Sequence, residues 1–327
     1  MSVSLWCGGL PMKLIKAHKL KAGDRVGIIS PSEPITYKNE FFAGVRELEK
    51  LGLKVELGKN VFKTYGGYMA GTVKERLRDF NSMIKNPKIK AIFASTGGFC
   101  VNQMLPLIDY SLVKKNPKII LGYSDITALT NAIYTKTGLI TFHGPHVEFT
   151  IAGWDSFTKK SFIRAVFQTK PIGRVTELSS WNVLKRGKAS GPLIGGNLTV
   201  LRTLIGTSYN PNWKGAILFW EDCDLTYEDL DHFLTHLKLA GILDKISGMI
   251  IGKNKNFIEI EEEPELKKKD LLSPKNIILE RTQEYRFPII SEVQFGHVGQ
   301  QVTIPIGVKA TIDTSKRLFS IDENGVI

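Results

Sequence analysis

Cysteine is scarce in this chain. Cys7, Cys100 and Cys223 are the only three in 327 residues, too few and too scattered for a disulfide framework or a zinc cage, and a count that fits a reducing compartment. Long apolar runs are missing as well: none approaches the ~20 residues of a membrane helix. The N-terminus lacks the basic segment, apolar core and small-residue cleavage site of an export signal. A cytoplasmic protein with no membrane partner is therefore expected. Neither G-x-G-x-x-G nor a Walker loop occurs, so a dinucleotide or nucleoside triphosphate site has no support. Acidic residues are outnumbered, 32 against 44 basic ones, for a net charge of +12. The lysines are dispersed among acids, and no helix-turn-helix, RNA-binding or zinc-finger signature accompanies them, so nucleic acid is not an expected partner. The surplus reads as a solvated basic surface whose long-range field suits anionic small substrates.

What is present is an ordinary globular composition, 43% hydrophobic and 23% charged, in a chain long enough for two domains. Met1 to Pro11 is unlike the rest, with Met12 an alternative start, and is set aside. From there strands and helices alternate. Val26 to Ile29 reads as a buried strand, and Asn39 to Leu51 as a helix with Phe42, Val45, Leu48 and Leu51 on one face. Leu53 to Leu57 is a second strand, Thr72 to Ile84 a second helix and Ile89 to Ala94 a third strand. This rhythm predicts a mostly parallel sheet with helices on both faces, whose ligands lie beyond the carboxyl ends of the strands.

Three features sit at such ends in the first half. Ser95-Thr96-Gly97-Gly98-Phe99 follows the third strand, where a glycine pair allows a sharp turn and exposes amide donors. Ile119 to Leu121 forms a short strand, Asp125 to about Lys136 a helix, and Ser124 lies at the join, either as a plain helix cap or as a hydroxyl raised above the sheet edge. Gly138 to Phe142 leads to His143-Gly144-Pro145-His146. Two histidines in a loop invite a metal, yet no carboxylate or cysteine stands at ligand spacing.

Residues 151–187 lose the strand-helix rhythm and read as a linker between an N-terminal α/β domain, 13–150, and a β-rich C-terminal domain, 188–327. In the latter, Gly191 to Asn197 reads as a turn and Leu198 to Leu204 as a short helix. Lys214 to Trp220 is a strand ending in Glu221-Asp222-Cys223-Asp224. Tyr227 to Leu239 is an amphipathic helix carrying His232 and His236 at i,i+4, with Phe233 where a zinc protease needs glutamate. Ser247 to Gly252 is a strand, and Lys253 to Leu272 an exposed charged excursion. Pro288 to Val293 delivers Gln294-Phe295-Gly296-His297 to its end. Short strands close the chain at 301–304, 308–312 and 318–321.

Ser124, Glu221 and His297 thus each follow a predicted strand. A serine hydroxyl needs a histidine to take its proton and a carboxylate to fix that imidazole, and the chain order Ser, Glu, His is one of several that satisfy this chemistry. Cys100 is the competing nucleophile, although its apolar neighbours Phe99 and Val101 suit a buried structural cysteine better. A non-catalytic peptide-binding module is the alternative from a different class.

These residues resemble a known family. Gly122-Tyr123-Ser124-Asp125-Ile126-Thr127, Leu107-Ile108-Asp109-Tyr110 with Asn116-Pro117-Lys118, Gly195-Gly196-Asn197-Leu198, Leu218-Phe219-Trp220-Glu221-Asp222, and Phe295-Gly296-His297 followed by Ile304-Pro305-Ile306-Gly307 resemble the L,D-carboxypeptidase and microcin C immunity family of serine peptidases. The resemblance runs from about Gly23 to Ile312. It implies a flavodoxin-like N-terminal domain and a C-terminal swivelling β-barrel-like domain, commonly as a homodimer. It implies a Ser124-Glu221-His297 triad, an oxyanion hole from the backbone amides of Gly98 and Asp125, and no metal or organic cofactor. The implied substrate is a small peptide or peptidyl-nucleotide: murein tetrapeptides ending in D-alanine in one branch, microcin C-like peptidyl or aminoacyl nucleotides in the other. The murein branch often carries arginine before the glycine turn; Thr96 here, with Asn102 downstream, looks closer to the immunity branch. Trp181 is a candidate to stack on a nucleobase or a packing residue of the linker.

Overall fold

A computed structural model of the protein describes residues 13–175, 181–258 and 272–327. The first half alternates as its periodicity predicts: β1 (Arg25–Ile29), α1 (Lys38–Lys50), β2 (Lys54–Leu57), α2 (Val73–Lys85) and β3 (Ile89–Ala94), then a 3-10 segment Val101–Leu107, α3 (Tyr110–Lys115), β4 (Ile119–Gly122), α4 (Ile126–Thr137) and β5 (Thr141–His143). α2 starts where its sequence dictates: Thr72 and Glu75 form a reciprocal capping box that satisfies two end amides. α1 buries Phe41, Gly44 and Leu48. Phe42, read as part of the buried face, is instead 40% exposed, because the apolar stripe runs one residue earlier than the Phe42–Leu51 spacing suggests.

The stretch 151–187, read as irregular, contains α5 (Ser156–Phe167), β6 (Gly173–Arg174) and β7 (Asn182–Lys185). α5 is capped by the Asp155 side chain and buries Thr158, Ser161, Phe162, Ala165 and Val166, a helical face disguised by two hydroxyl residues. β8 (Lys188–Asn197) and α6 (Leu198–Arg202) follow. Gly191 to Asn197 is therefore the end of a ten-residue strand and not a turn. Its glycines answer a close approach: a Cβ on Gly195 would lie 1.7 Å from the Phe219 carbonyl oxygen. Next come β9 (Ile217–Glu221), β10 (Cys223–Thr226), α7 (Tyr227–Leu239), β11 (Gly248–Gly252), β12 (Lys255–Ile258), α8 (Pro274–Arg281), β13 (Ile289–Val293), β14 (Ile304–Ile306), β15 (Lys309–Asp313) and β16 (Leu318–Ile321). Of the excursion expected at 253–272, β12 pairs in parallel with β10, and residues 259–271 lie outside the described residues.

The first sheet has the order β14-β5-β4-β3-β1-β2. Its five strands from the first half run parallel, and β14, from far down the chain, adds an antiparallel edge against β5. The second sheet, β6-β16-β15-β8-β9-β11-β13-β7, has a parallel centre (β8, β9, β11, β13) with antiparallel flanks and curls into a half-barrel. The interior is continuous between them: Ile119, Ile120, Leu121 and Phe142 of the first sheet and Ile217, Leu218, Phe219 and Ile250 of the second belong to one buried apolar cluster. Burial at roughly 25 cal/mol per Å² of apolar surface makes such a cluster the main favourable term in folding. α4 is the hinge pin between the sheets: Asn131 Nδ2 donates to the Gly195 carbonyl at 2.9 Å, and Asn197 N–H to Thr127 Oγ1 at 3.0 Å.

Candidate active site

β4 is wholly buried and apolar, and it ends in Gly122, where a Cβ would strike the Ile126 side chain at 2.8 Å. The chain can then reverse tightly into α4. Ser124 occupies that reversal with φ +57°, a left-handed conformation costly for a non-glycine residue and concentrated at functional sites. It is not a cap in the ordinary sense, because Asp125 holds the N-cap position and no side chain caps the helix there. From Lys118 to Tyr134 every residue is buried except Ser124. Its hydroxyl makes no hydrogen bond among the described residues. The turn after β3 approaches it so closely that a Cβ on Gly97 would lie 2.8 Å from Ser124 Oγ.

The second sheet supplies a carboxylate and an imidazole. Glu221, at the end of β9, is fully buried. The chain leaving β13 brings His297 to it: Nδ1 lies 2.7 Å from Oε2, and the His297 main-chain N–H donates to the same oxygen at 3.1 Å. A carboxylate can only accept, so Nδ1 carries a proton and Nε2 is the nitrogen left free of Glu221. Gly296 makes this approach possible; it has φ +96°, and a Cβ there would come within 2.2 Å of Glu221 Oε2. Burial alone would push the His297 imidazole down, but the Glu221 charge, with smaller contributions from Cys223 and Tyr123, holds it above the ordinary histidine range. Burial pushes Glu221 the other way, upward, and the charge and hydrogen bonds of His297 more than offset this, leaving the carboxyl below its usual value.

Tyr123 joins the two halves. Its ring centroid is 4.9 Å from that of His297 and 4.0 Å from that of His146, while its peptide leads directly into Ser124. His143 and His146 are buried within the same aromatic cluster. Burial lowers His143 to about 4 and His146 well below its ordinary value, so both are neutral near pH 7. His146 Nε2 meets the main chain of Tyr123, 3.1 Å from its nitrogen. These are packing and backbone-holding histidines. No group of three or more His, Cys, Asp or Glu among the described residues is placed to hold a metal, and His232 and His236 lie along α7 without a third ligand.

Gly98 has φ +134° and packs against Ser32 and Glu33. Asp125 lies beside its loop: Oδ2 accepts from the Cys100 and Val101 amides at 2.8 and 2.9 Å and from Ser32 Oγ at 2.5 Å. Cys100 is 2% exposed, with burial the largest influence raising its thiol, which fits a structural cysteine. Asn102 donates to Thr203 Oγ1 at 2.7 Å, linking the 3-10 segment to the turn after α6. Trp181 is buried beneath Arg317, whose guanidinium carbon sits 5.0 Å from the ring, so its faces are used in packing. A cleft of about 450 Å³ opens at the site, lined in part by Tyr123, Phe149, Thr150, Lys255, His297 and Val298. Lys255, Cys223 and the Asp125 carboxylate were not singled out by sequence. Only the carboxylate left a trace there, as the acid following the serine.

Residues 26–144 match the LD-carboxypeptidase N-terminal domain, and residues 190–312 match the LD-carboxypeptidase C-terminal domain. The chain is 36% identical over 310 residues to the probable murein peptide carboxypeptidase of Bacillus subtilis (strain 168), covering 94% of each. It is 34% identical to the microcin C7 self-immunity protein MccF of Escherichia coli, covering 95% of this chain and 98% of that one. The solved structure of MccF in complex with aspartyl sulfamoyl adenosine superimposes with a TM-score of 0.85 at 33% identity, over 96% of this chain and 100% of that chain. No helix among the described residues is long and apolar enough to cross a membrane.

Proposed function

The chain belongs to the LD-carboxypeptidase family and is a peptidase, and from that premise we propose that Ser124, His297 and Glu221 are its nucleophile, general base and orienting acid. The observation that carries this reading is the partly exposed, left-handed serine just past β4, next to Tyr123, whose ring centroid lies 4.9 Å from that of a histidine ion-paired to a fully buried glutamate.

Ser124 Oγ attacks the carbonyl carbon of the scissile amide, and His297 Nε2 takes its proton while Nδ1–H stays with Glu221. The main-chain amides of Gly98 and Asp125 receive the oxyanion, each such donor being worth about 3–4 kcal/mol in serine hydrolases. His297 returns the proton to the leaving amine, and water resolves the acyl-enzyme by the same roles. Glu221 stabilises the imidazolium that forms in both steps. Because that charge also raises His297 in the free enzyme, kcat/KM rises with pH as the imidazole becomes neutral.

The substrate is a small anionic peptide: the cleft lining includes Lys255, aromatic faces and main chain. Removal of the terminal D-alanine of murein tetrapeptides is the first reading. Hydrolysis of an aminoacyl- or peptidyl-nucleotide is the second, favoured by Thr96 before the glycine pair and by the MccF complex with aspartyl sulfamoyl adenosine. On either reading the enzyme works in the cytoplasm as a homodimer without a metal or organic cofactor, and light scattering after gel filtration checks the mass. Incubation of the wild type and Ser124→Ala with a murein tetrapeptide and with aspartyl sulfamoyl adenosine, followed by mass spectrometry, tests the function. Serine-dependent release of D-alanine supports the first reading, and serine-dependent cleavage of the adenylate alone supports the second. Equal turnover by Ser124→Ala overturns the assignment of the nucleophile.

A further inference from the structure

The Asp125 carboxylate has no place in the triad chemistry, yet it is 3% exposed and accepts three hydrogen bonds on one oxygen. Its donors come from two other segments: Ser32, in the turn after β1, and the amides of Cys100 and Val101, just beyond the glycine pair. Arg76, from α2 and itself 1% exposed, grips the same turn from its acceptor side. Its Nη1 takes the carbonyls of Pro31 and Cys100 at 2.8 and 3.0 Å, and Nη2 takes Gln103 Oε1 at 2.6 Å. Cys100 is thus held at its N–H by an acid on the serine turn and at its C=O by a buried cation. Gly97 and Gly98 lie just before Cys100 and are conformationally permissive, and Gly97 packs directly against the serine.

We propose that the Asp125 carboxylate is a positioning residue that fixes the glycine turn against the serine turn and so sets the separation of the two oxyanion donors. One residue then contributes twice, its amide as a donor and its side chain as the strut that places the other donor. The inference rests on the reading of Gly98 and Asp125 as the oxyanion hole. Charge-assisted bonds to main-chain amides are among the stronger ones available, and donors must meet the oxyanion, not the ground-state carbonyl, at hydrogen-bond distance. Loosening the strut should therefore act on the transition state and leave substrate binding largely intact.

The test measures kcat, KM and melting temperature of the full chain for Asp125→Ala, Asp125→Asn and Ser32→Ala, with Ser124→Ala as control, on whichever of the two substrates is turned over. Asp125→Ala should lower kcat about 100-fold with KM within about threefold. Asp125→Asn keeps an oxygen for the two amides and should recover at least about tenfold of that loss, while Ser32→Ala should cost only about fivefold. If Asp125→Ala does not fold, the kcat-against-KM split in Asp125→Asn and Ser32→Ala decides. Unchanged kcat in the folded variants overturns the proposal, as does a loss in which KM rises in step with the fall in kcat and Asn rescues nothing. Turnover by Ser124→Ala at the wild-type rate overturns the underlying reading of the site instead.

Discussion

The two sheets present their site residues in opposite ways. On the first, the serine turn and glycine turn are held by main-chain amides, by the Asp125 acceptor and by tight packing at Gly97 and Gly122. On the second, Glu221 meets His297 alone, through a 2.7 Å ion pair and the His297 main-chain N–H on the same oxygen, and Glu221 Oε1 has no hydrogen-bond partner among the described residues. The neighbouring acid sharpens the contrast. Asp222 is nearly as buried as Glu221 but accepts from Asn197, Cys223 and both the amide and hydroxyl of Thr199; burial and the Glu221 charge raise its carboxyl. The acid with many neutral donors braces the fold, and the acid with one histidine is left to respond to that histidine's charge.

Substitutions on the two sides should break in different ways. Ser124→Ala should reduce turnover by about 10⁶-fold with melting temperature little changed, measured as kcat against thermal unfolding. Glu221→Gln should cost about 10⁴-fold and, in the residual activity, move the acid limb of kcat/KM to lower pH. The sign follows from the pair: the carboxylate raises His297, so removing its charge lowers the pH at which the base becomes neutral. Gly296→Ala forces a Cβ toward Glu221 Oε2 in a left-handed conformation; a loss of about 10²-fold in kcat and of about 2–4 kcal/mol in unfolding free energy is expected from denaturant titration. Gly97→Ala would set a Cβ 2.8 Å from Ser124 Cβ and Oγ and 3.3 Å from His146 Cε1, so the serine turn must shift, and it should cost about tenfold in kcat with a smaller loss of stability than Gly296→Ala. The smallest change in stability is a gain: Ser124→Gly removes the penalty of a left-handed serine and should raise stability by about 1 kcal/mol, although turnover is lost as in Ser124→Ala.

Much of this was readable where pattern and burial agree. α7 has the bounds its apolar spacing gives, with Leu230, Phe233, Leu234 and Leu237 inward. Ser124 and His297 lie just past β4 and β13, and Glu221 is the last residue of β9, each at a strand end as expected. The rest was hidden by residues whose usual meaning is overridden. Thr158 and Ser161 sit on the buried face of α5, so the helix does not look amphipathic. Gly195 and Gly196 look like a turn but are strand residues kept small by Phe219 and Thr127. Pro305 lies in the middle of β14, which is admissible because β14 is an edge strand. The carboxylate of Asp125 is invisible for another reason: its partners lie 24, 25 and 93 residues away, and no local spacing announces them.

β14 also puts a clock on the enzyme. The first sheet contains Ser124, but the strand that covers the edge of β5 is synthesised about 160 residues later, roughly 8–30 s at ordinary elongation rates. Until then a nascent chain carries an open sheet edge near Ser124 and has not yet made His297. The histidine and the covering strand emerge within a few residues of each other, so formation of the Glu221–His297 pair and closure of the sheet coincide. A chain ended anywhere before that point would lack the Glu221–His297 pair and keep an edge free to pair with other chains.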